Sequence, residues 1–126
     1  MKINILGGGI AGLASAIFLS KQGHEVTIVE RNDYINELGA GIQITPNAIR
    51  VLDALGIRND FINLAEQSTS LSIRRAENSA LLQKVSMHRL VKDQKVGFYH
   101  LHRHKLLNLL NVNAIKTKVN IMSNQY

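Results

Sequence analysis

The sequence predicts an α/β fold that opens on a βαβ unit, and three observations predict it. A short apolar run stops at a cluster of glycines, an apolar helical run stops at Gly23, and a β-branched run stops at Glu30. Lys2 to Leu6 is the first strand. Ile10 to Gln22 is apolar almost all round, which predicts a helix buried on most faces and closed by Gly23. Glu25 to Glu30 (Glu-Val-Thr-Ile-Val-Glu) predicts a second strand, parallel to the first because a helical crossover returns the chain in the same direction.

The rest of the chain is read in the same way. Arg31 to Gly41 is polar and glycine-punctuated, hence loop, and Ile42 to Thr45 is briefly extended. Thr45 and Pro46 suit the N-cap and first turn of a helix whose apolar stripe is Ala48, Ile49, Val51, Leu52 and Leu55 and which ends at Gly56. Asn59 to Glu66 predicts another short helix. Ser70 to Arg74 and Ala80 to Val85 flank residues 76–79 as a small β-hairpin insertion. Val96 to Leu101 predicts a strand, Arg103 to Leu110 a helix built on Leu106, Leu107, Leu109 and Leu110, and Val119 to Met122 a last strand. No repeat, low-complexity tract or linker interrupts residues 1–126, so a single domain's worth of chain is expected.

Composition removes several function classes. The net charge of +6 is uneven: residues 1–60 hold five basic and six acidic side chains, whereas residues 61–126 hold ten and three. With three Phe, three Tyr and no Trp, no aromatic platform interleaves with those cations, which argues against nucleic-acid binding. Arg74, Arg75, Lys84, Arg89, Lys92 and Lys95 read instead as a solvated basic face. The absence of Cys removes disulfides, thiolate metal sites and thiol nucleophiles, and suits a reducing, cytoplasmic setting. The apolar N-terminus is broken by Gly7, Gly8 and Gly9 and falls far short of the roughly 18 residues a membrane span needs. His100, His102 and His104 alternate, yet no carboxylate or Cys joins them at ligand-like spacing and Arg103 stands among them, so no metal site is expected. Ser15 and Ser20 have no His and acid beside them, and nucleophilic catalysis has no support.

The chemistry concentrates in Gly7-Gly8-Gly9-Ile10-Ala11-Gly12, a G-x-G-x-x-G placed where the first strand turns into the helix. Gly7 permits the tight turn, Gly9 lets a pyrophosphate reach the backbone without meeting a Cβ, and Gly12 lets the helix pack against the strand. The anion would then meet free N–H groups and the positive end of the helix dipole, next to Ile10 and Ala11. Glu30, eighteen residues after Gly12, can accept hydrogen bonds from both ribose hydroxyls. Its carboxylate repels a 2′-phosphate even with Arg31 beside it, so the ribose should be unphosphorylated. The expected architecture is therefore a Rossmann-like βαβ FAD/NAD(P)-binding domain. The fingerprint alone leaves NAD and FAD open.

Gly39-Ala40-Gly41-Ile42-Gln43-Ile44-Thr45-Pro46-Asn47-Ala48, with the helix to Leu55-Gly56-Ile57, closely resembles the corresponding segment of the FAD-dependent aromatic hydroxylases. These are single-component flavoprotein monooxygenases of the salicylate hydroxylase type. His102-Arg103-His104-Lys105-Leu106-Leu107 is similar to that family's His-Arg-x-x-Leu helix start, and with the fingerprint the resemblance runs from residue 3 to about 110. It implies FAD as cofactor, NAD(P)H as electron donor and a small aromatic substrate that receives one oxygen atom from O₂. It also implies roles. Gly9, Ile10 and Ala11 would lie against the pyrophosphate, Glu30 would bind the adenosine ribose, and Arg103 would sit beside the phosphate and ribitol. Gly41, Ile42, Gln43 and Pro46 would lie near the flavin ring. A guanidinium at a helix start is well shaped to clamp phosphate oxygens. Lys105 departs from the family pattern, in which an acidic residue is frequent, and makes the surroundings of Arg103 more cationic.

The family's chains are longer, and beyond this span they carry an Asp-Gly motif, a flavin-touching Gly-Asp motif and a substrate-covering sheet. Neither dipeptide occurs here, so an N-terminal fragment is expected, inactive by itself, with an exposed sheet edge and uncovered apolar surface. An NAD-binding dehydrogenase module and a non-catalytic remnant are the alternative readings of the same fingerprint.

Overall fold

Isoleucines at alternate positions drive the first pairing. In the computed structural model, which describes residues 1–32, 40–91 and 96–124, Lys2–Leu6 forms β1 and Glu25–Val29 forms β2 parallel to it. Ile3 lies opposite Val26 and Ile5 opposite Ile28. Between them runs α1, Ile10–Lys21, whose Leu13, Ala16 and Ile17 are fully buried. Asn120–Met122 forms β8, which pairs in parallel with the other edge of β2, so β2 is central and β1 is an edge strand. A parallel pair joined by a helical crossover is what this alternation of β-branched and helical runs produces.

A second sheet, in the order β3-β7-β4, is antiparallel. Gly41–Ile44 is β3, Phe98–His102 is β7, and Glu66–Ser68 is β4. Pro46–Ala54 forms α2 and Arg58–Ile62 forms α3; Phe61 from α3 meets Tyr99 of β7 edge-to-face at 5.6 Å. Ser70–Arg74 (β5) and Leu81–Ser86 (β6) pair antiparallel, followed by a single turn of helix, α4, at Met87–Leu90. Arg103–Lys116 is α5, which packs on α1, and the Ser20 hydroxyl donates to the Thr117 carbonyl oxygen across that contact. The core joins α1, α2, α3 and α5 to both sheets through Leu13, Ile28, Ile49, Phe61, Tyr99, Leu101, Leu106 and Leu110.

Several elements differ from the sequence reading, among them β7, which runs Phe98–His102 where Val96 to Leu101 is expected. The short helix expected to reach Glu66 stops at Ile62, and residues 66–68 become β4 instead, because the free edge of β7 offers them main-chain partners. α4 was not foreseen; burial of Met87 at 7 % exposure fixes it. α5 runs six residues past Leu110. Thr45 stands at the N-cap of α2, yet its hydroxyl bonds the Asn47 side chain and not a backbone amide, so the cap is made by position and by Pro46. Residues 33–39, including Gly39 of the expected loop, and Lys92 and Lys95 of the basic run lie outside the described residues. Arg74, Arg75, Lys84 and Arg89 are exposed.

Helices α1, α2 and α5 all end in the same double hydrogen-bond pattern. Gly23 donates to Ser20 and His24 to Leu19; Gly56 donates to Asp53 and Ile57 to Leu52; Lys118 donates to Ile115 and Val119 to Ala114. The residue after the cap is left-handed in each case, with φ of +84°, +72° and +63°. Two of these are glycines and the third is Lys118, which explains why the end of α5 was illegible. Lys118→Gly should therefore stabilise the chain by about 1 kcal/mol, the cost of a left-handed L-residue, read as a higher Tm in thermal melts.

Candidate functional site

At the end of β1 the chain must reverse within a few residues to enter α1. Gly7 takes φ +98°, a conformation that favours glycine, while its N–H donates to the Val29 carbonyl at 2.8 Å. Gly9 caps α1 with φ −69° and ψ −176°, no side chain caps the helix, and the first helical bond runs from Leu13 N–H to the Gly9 carbonyl at 2.9 Å. The first-turn amides of Ile10, Ala11 and Gly12 lie before that bond and have no helical acceptor of their own.

The three fingerprint glycines meet different surroundings. A Cβ on Gly12 would stand 2.0 Å from the Gly7 carbonyl oxygen, so the helix lies on the turn too closely for any side chain. A Cβ on Gly9 would meet nothing within 4 Å, and its backbone angles are open to any residue. Packing therefore explains the glycine at 12 and does not explain the one at 9. The bare space above Gly9, facing an uncapped helix N-terminus, fits the pyrophosphate of a dinucleotide.

Glu30 follows β2 directly and is half-buried, on the same side as the turn. Its N–H donates to the Met122 carbonyl at 2.9 Å, which anchors it to β8. One carboxylate oxygen accepts the Gly8 N–H at 2.7 Å and the other accepts the Asn32 N–H at 2.8 Å. The Asn32 amide first, then the Gly8 amide, hold this carboxyl below the ordinary glutamate value of 4.5; slight burial pushes the other way and Arg31 adds to the lowering. Arg31 itself is exposed beside it. Gly8 and Asn32 act through their amides, which no side-chain pattern could have flagged.

A second cluster gathers around β3 and β7. Gly41 pairs with His102, Ile42 with Leu101 and Gln43 with His100; Glu66 of β4 lies on the other side of His100. Gly41, Ile42, Gln43, Glu66, His100, His102 and Lys105 line an open groove across these strands. The Arg103 N–H donates to the Ala40 carbonyl at 3.1 Å, which puts the start of α5 against the entry of β3. His100 Nδ1 and the Ser68 hydroxyl share a hydrogen bond of 3.1 Å, and the rings of His102 and His104 stack at 5.5 Å. Among the described residues, no three His, Asp or Glu side chains come together as a metal site. The fingerprint residues and Glu30 thus form one group, and Gly41, Ile42, Gln43 and Arg103 a second.

A family model described as FAD binding domain matches residues 1–123, and the chain belongs to that family. The ambiguity between NAD and FAD accordingly closes on FAD. Over 57 residues the chain is 49% identical to the 3-hydroxybenzoate 6-hydroxylase of Klebsiella oxytoca, covering 45% of this chain and 14% of that protein. It is 36% identical over 86 residues to a 3-amino-4-hydroxybenzoate 2-monooxygenase of Streptomyces platensis, 68% of this chain and 22% of that one. The solved 2-methyl-3-hydroxypyridine-5-carboxylic acid oxygenase, in its tetrameric form, superposes over 98% of this chain with a TM-score of 0.85 at 25% identity. That match covers 31% of the oxygenase, so this chain spans a third or less of each of these proteins. No helix among the described residues is long and apolar enough to cross a membrane.

Two substitutions separate packing from binding. Gly12→Ala should cost more than about 3 kcal/mol, since backbone must move, and abolish a cooperative melt at moderate temperature. Gly9→Ala should leave the melt unchanged or raise stability by about 0.4–1 kcal/mol through the unfolded chain. Acid provides a further check. Because the folded Glu30 pKa is depressed, its amide bonds contribute in full above the ordinary value of 4.5 and are lost as pH falls through the lower folded value. Glu30→Gln should therefore flatten the dependence of Tm on pH below 4.5, measured by melts from neutral pH downward.

Proposed function

We propose that this chain forms the N-terminal, Rossmann-like part of the FAD-binding domain of an NAD(P)H-dependent monooxygenase acting on a small aromatic substrate. The observation that carries the reading is the pairing of a glycine that packing does not require, Gly9, with a carboxylate held at the same strand ends, Glu30. Gly9, Ile10 and Ala11 would receive the pyrophosphate on main-chain amides, with Gly7 and Gly12 setting the turn. Glu30 would accept the adenosine ribose hydroxyls, with Arg31 beside it and exposed. Arg103, half-buried at the start of α5, would clamp phosphate and ribitol oxygens, and Gly41, Ile42 and Gln43 would face the flavin end.

When bound, the flavin supplies the redox chemistry that activates O₂ for transfer of one oxygen atom. This chain's own residues bind and orient the cofactor. Hydroxybenzoate-type substrates in the relatives' names support the aromatic class. The relatives' length supports a need for further chain before turnover. The cysteine-free composition supports a reducing cytoplasm.

Titration of the purified chain with FAD, ADP and NAD, followed by flavin fluorescence and calorimetry, tests this. FAD and ADP should bind saturably, Gly9→Ala should weaken both at least tenfold without lowering Tm, and NADH or NADPH should not be oxidised by this chain with FAD added. Absence of saturable FAD and ADP binding, or equal affinity in Gly9→Ala, would overturn the reading.

A further inference from the structure

A carboxylate offers about four acceptor positions, two on each oxygen. In Glu30 one position on each oxygen is already filled from the main chain, by Gly8 at 2.7 Å and by Asn32 at 2.8 Å. Gly8 belongs to the turn after β1 and is buried; Asn32 belongs to the segment leaving β2. Residues 7–9 are all glycines, so on the turn's side the link must be made by main chain, and Gly7 meets β2 through its own N–H. The carboxylate therefore cross-braces two strand ends, and the Arg31 N–H adds a further main-chain hydrogen bond to it.

We infer that Glu30 is a positioning residue for the phosphate-facing turn, holding Gly8 and Asn32 in place through its two oxygens, in addition to any sugar it accepts. The inference rests on the FAD-binding reading of the same cleft for its use, whereas both hydrogen bonds of the brace are made between this chain's own atoms. An amide side chain at this position could accept from only one of the two N–H groups, because its nitrogen is a donor. A shorter carboxylate would keep the charge and lose reach. The turn would then sample other conformations before an anion arrives, and that ordering cost would appear in the affinity.

The test begins with the ligand-free 126-residue chain by NMR. The Gly8 and Asn32 amide resonances should titrate together with the Glu30 carboxyl, at a midpoint below 4.5, with Arg31 the charged neighbour acting on it. In Glu30→Gln, hydrogen exchange at the Gly8 amide should accelerate at least tenfold while Val26, a buried residue of β2, keeps its rate. A Gly8 resonance indifferent to pH, or unchanged exchange in Glu30→Gln, would overturn the brace; the titration in the unmutated chain decides even if the variant fails to fold. The second arm holds charge fixed. Glu30→Asp should weaken inorganic pyrophosphate, which has no sugar, about tenfold; weaker ADP with unchanged pyrophosphate would confine Glu30 to the ribose and overturn the inference. Failure of the unmutated chain to bind FAD would sink the FAD reading and leave the ligand-free titration standing.

Discussion

The contact on which the rest depends is between two pieces of backbone, the Gly12 α-carbon and the Gly7 carbonyl. An added Cβ at 12 would come within 2.0 Å of that oxygen, so the helix start and the strand end are in direct contact. This closeness sets the direction of α1, and with it where the helix N-terminus and its unpaired amides face. The seat of Ala16 and Ile17 against β2 follows from the same approach, since both are fully buried where a larger turn would lift the helix away. An anion site of this kind is built by removing side chains, and the cost is conformational freedom that must be withdrawn elsewhere. Gly7 at φ +98° is held by its bond to Val29, and Gly8 by its bond to Glu30.

The described helices cover one face of the parallel sheet. Val26 and Ile28 lie under the helices, whereas Leu6, Val29 and Met122 stand side by side on the opposite face, one from each strand. Leu6 is 84% exposed and Met122 42% exposed. The polar row behind it, Asn4, Thr27 and Asn120, makes that face mixed in character. The β5–β6 hairpin also leaves Leu71, Ile73, Leu81 and Leu82 in solvent, interleaved with Arg74 and Lys84. Two strands alone bury too little for independent stability, and contacts at their base with α4 tie them to the core. The basic excess of the second half thus lies partly on this hairpin.

Legibility followed the kind of signal each element carries. Gly23 and Gly56 mark the ends of α1 and α2 because a left-handed residue is cheapest as glycine; α5 ends in the same bonds with Lys118 in that place, where no glycine signals the stop. β1 and β2 were legible because alternate isoleucines and valines repeat with the pleat. β4 was not, since Glu66, Gln67 and Ser68 carry no strand preference and pair only because β7 presents a free edge. In the site, the fingerprint glycines and Glu30 could be picked out by spacing. Gly8 and Asn32 could not, because their contribution is an amide that every residue other than proline has.

Local chemistry along the chain therefore determined the opening βαβ unit, the glycine turn and the carboxylate at the end of the second strand. These depend on period, on side-chain absence and on neighbours a few residues away. Tertiary structure alone decided that β8 pairs with β2, that residues 66–68 become a strand, and that the Gly41–Gln43 segment shares a groove with His100, His102 and Lys105. It also decided what separates Gly9 from Gly12, a glycine with open space above it from one with a carbonyl against it. The reason is physical: spacing reports which conformations a residue can adopt, whereas what its missing side chain would have touched depends on atoms brought together only when the helix docks on the strand.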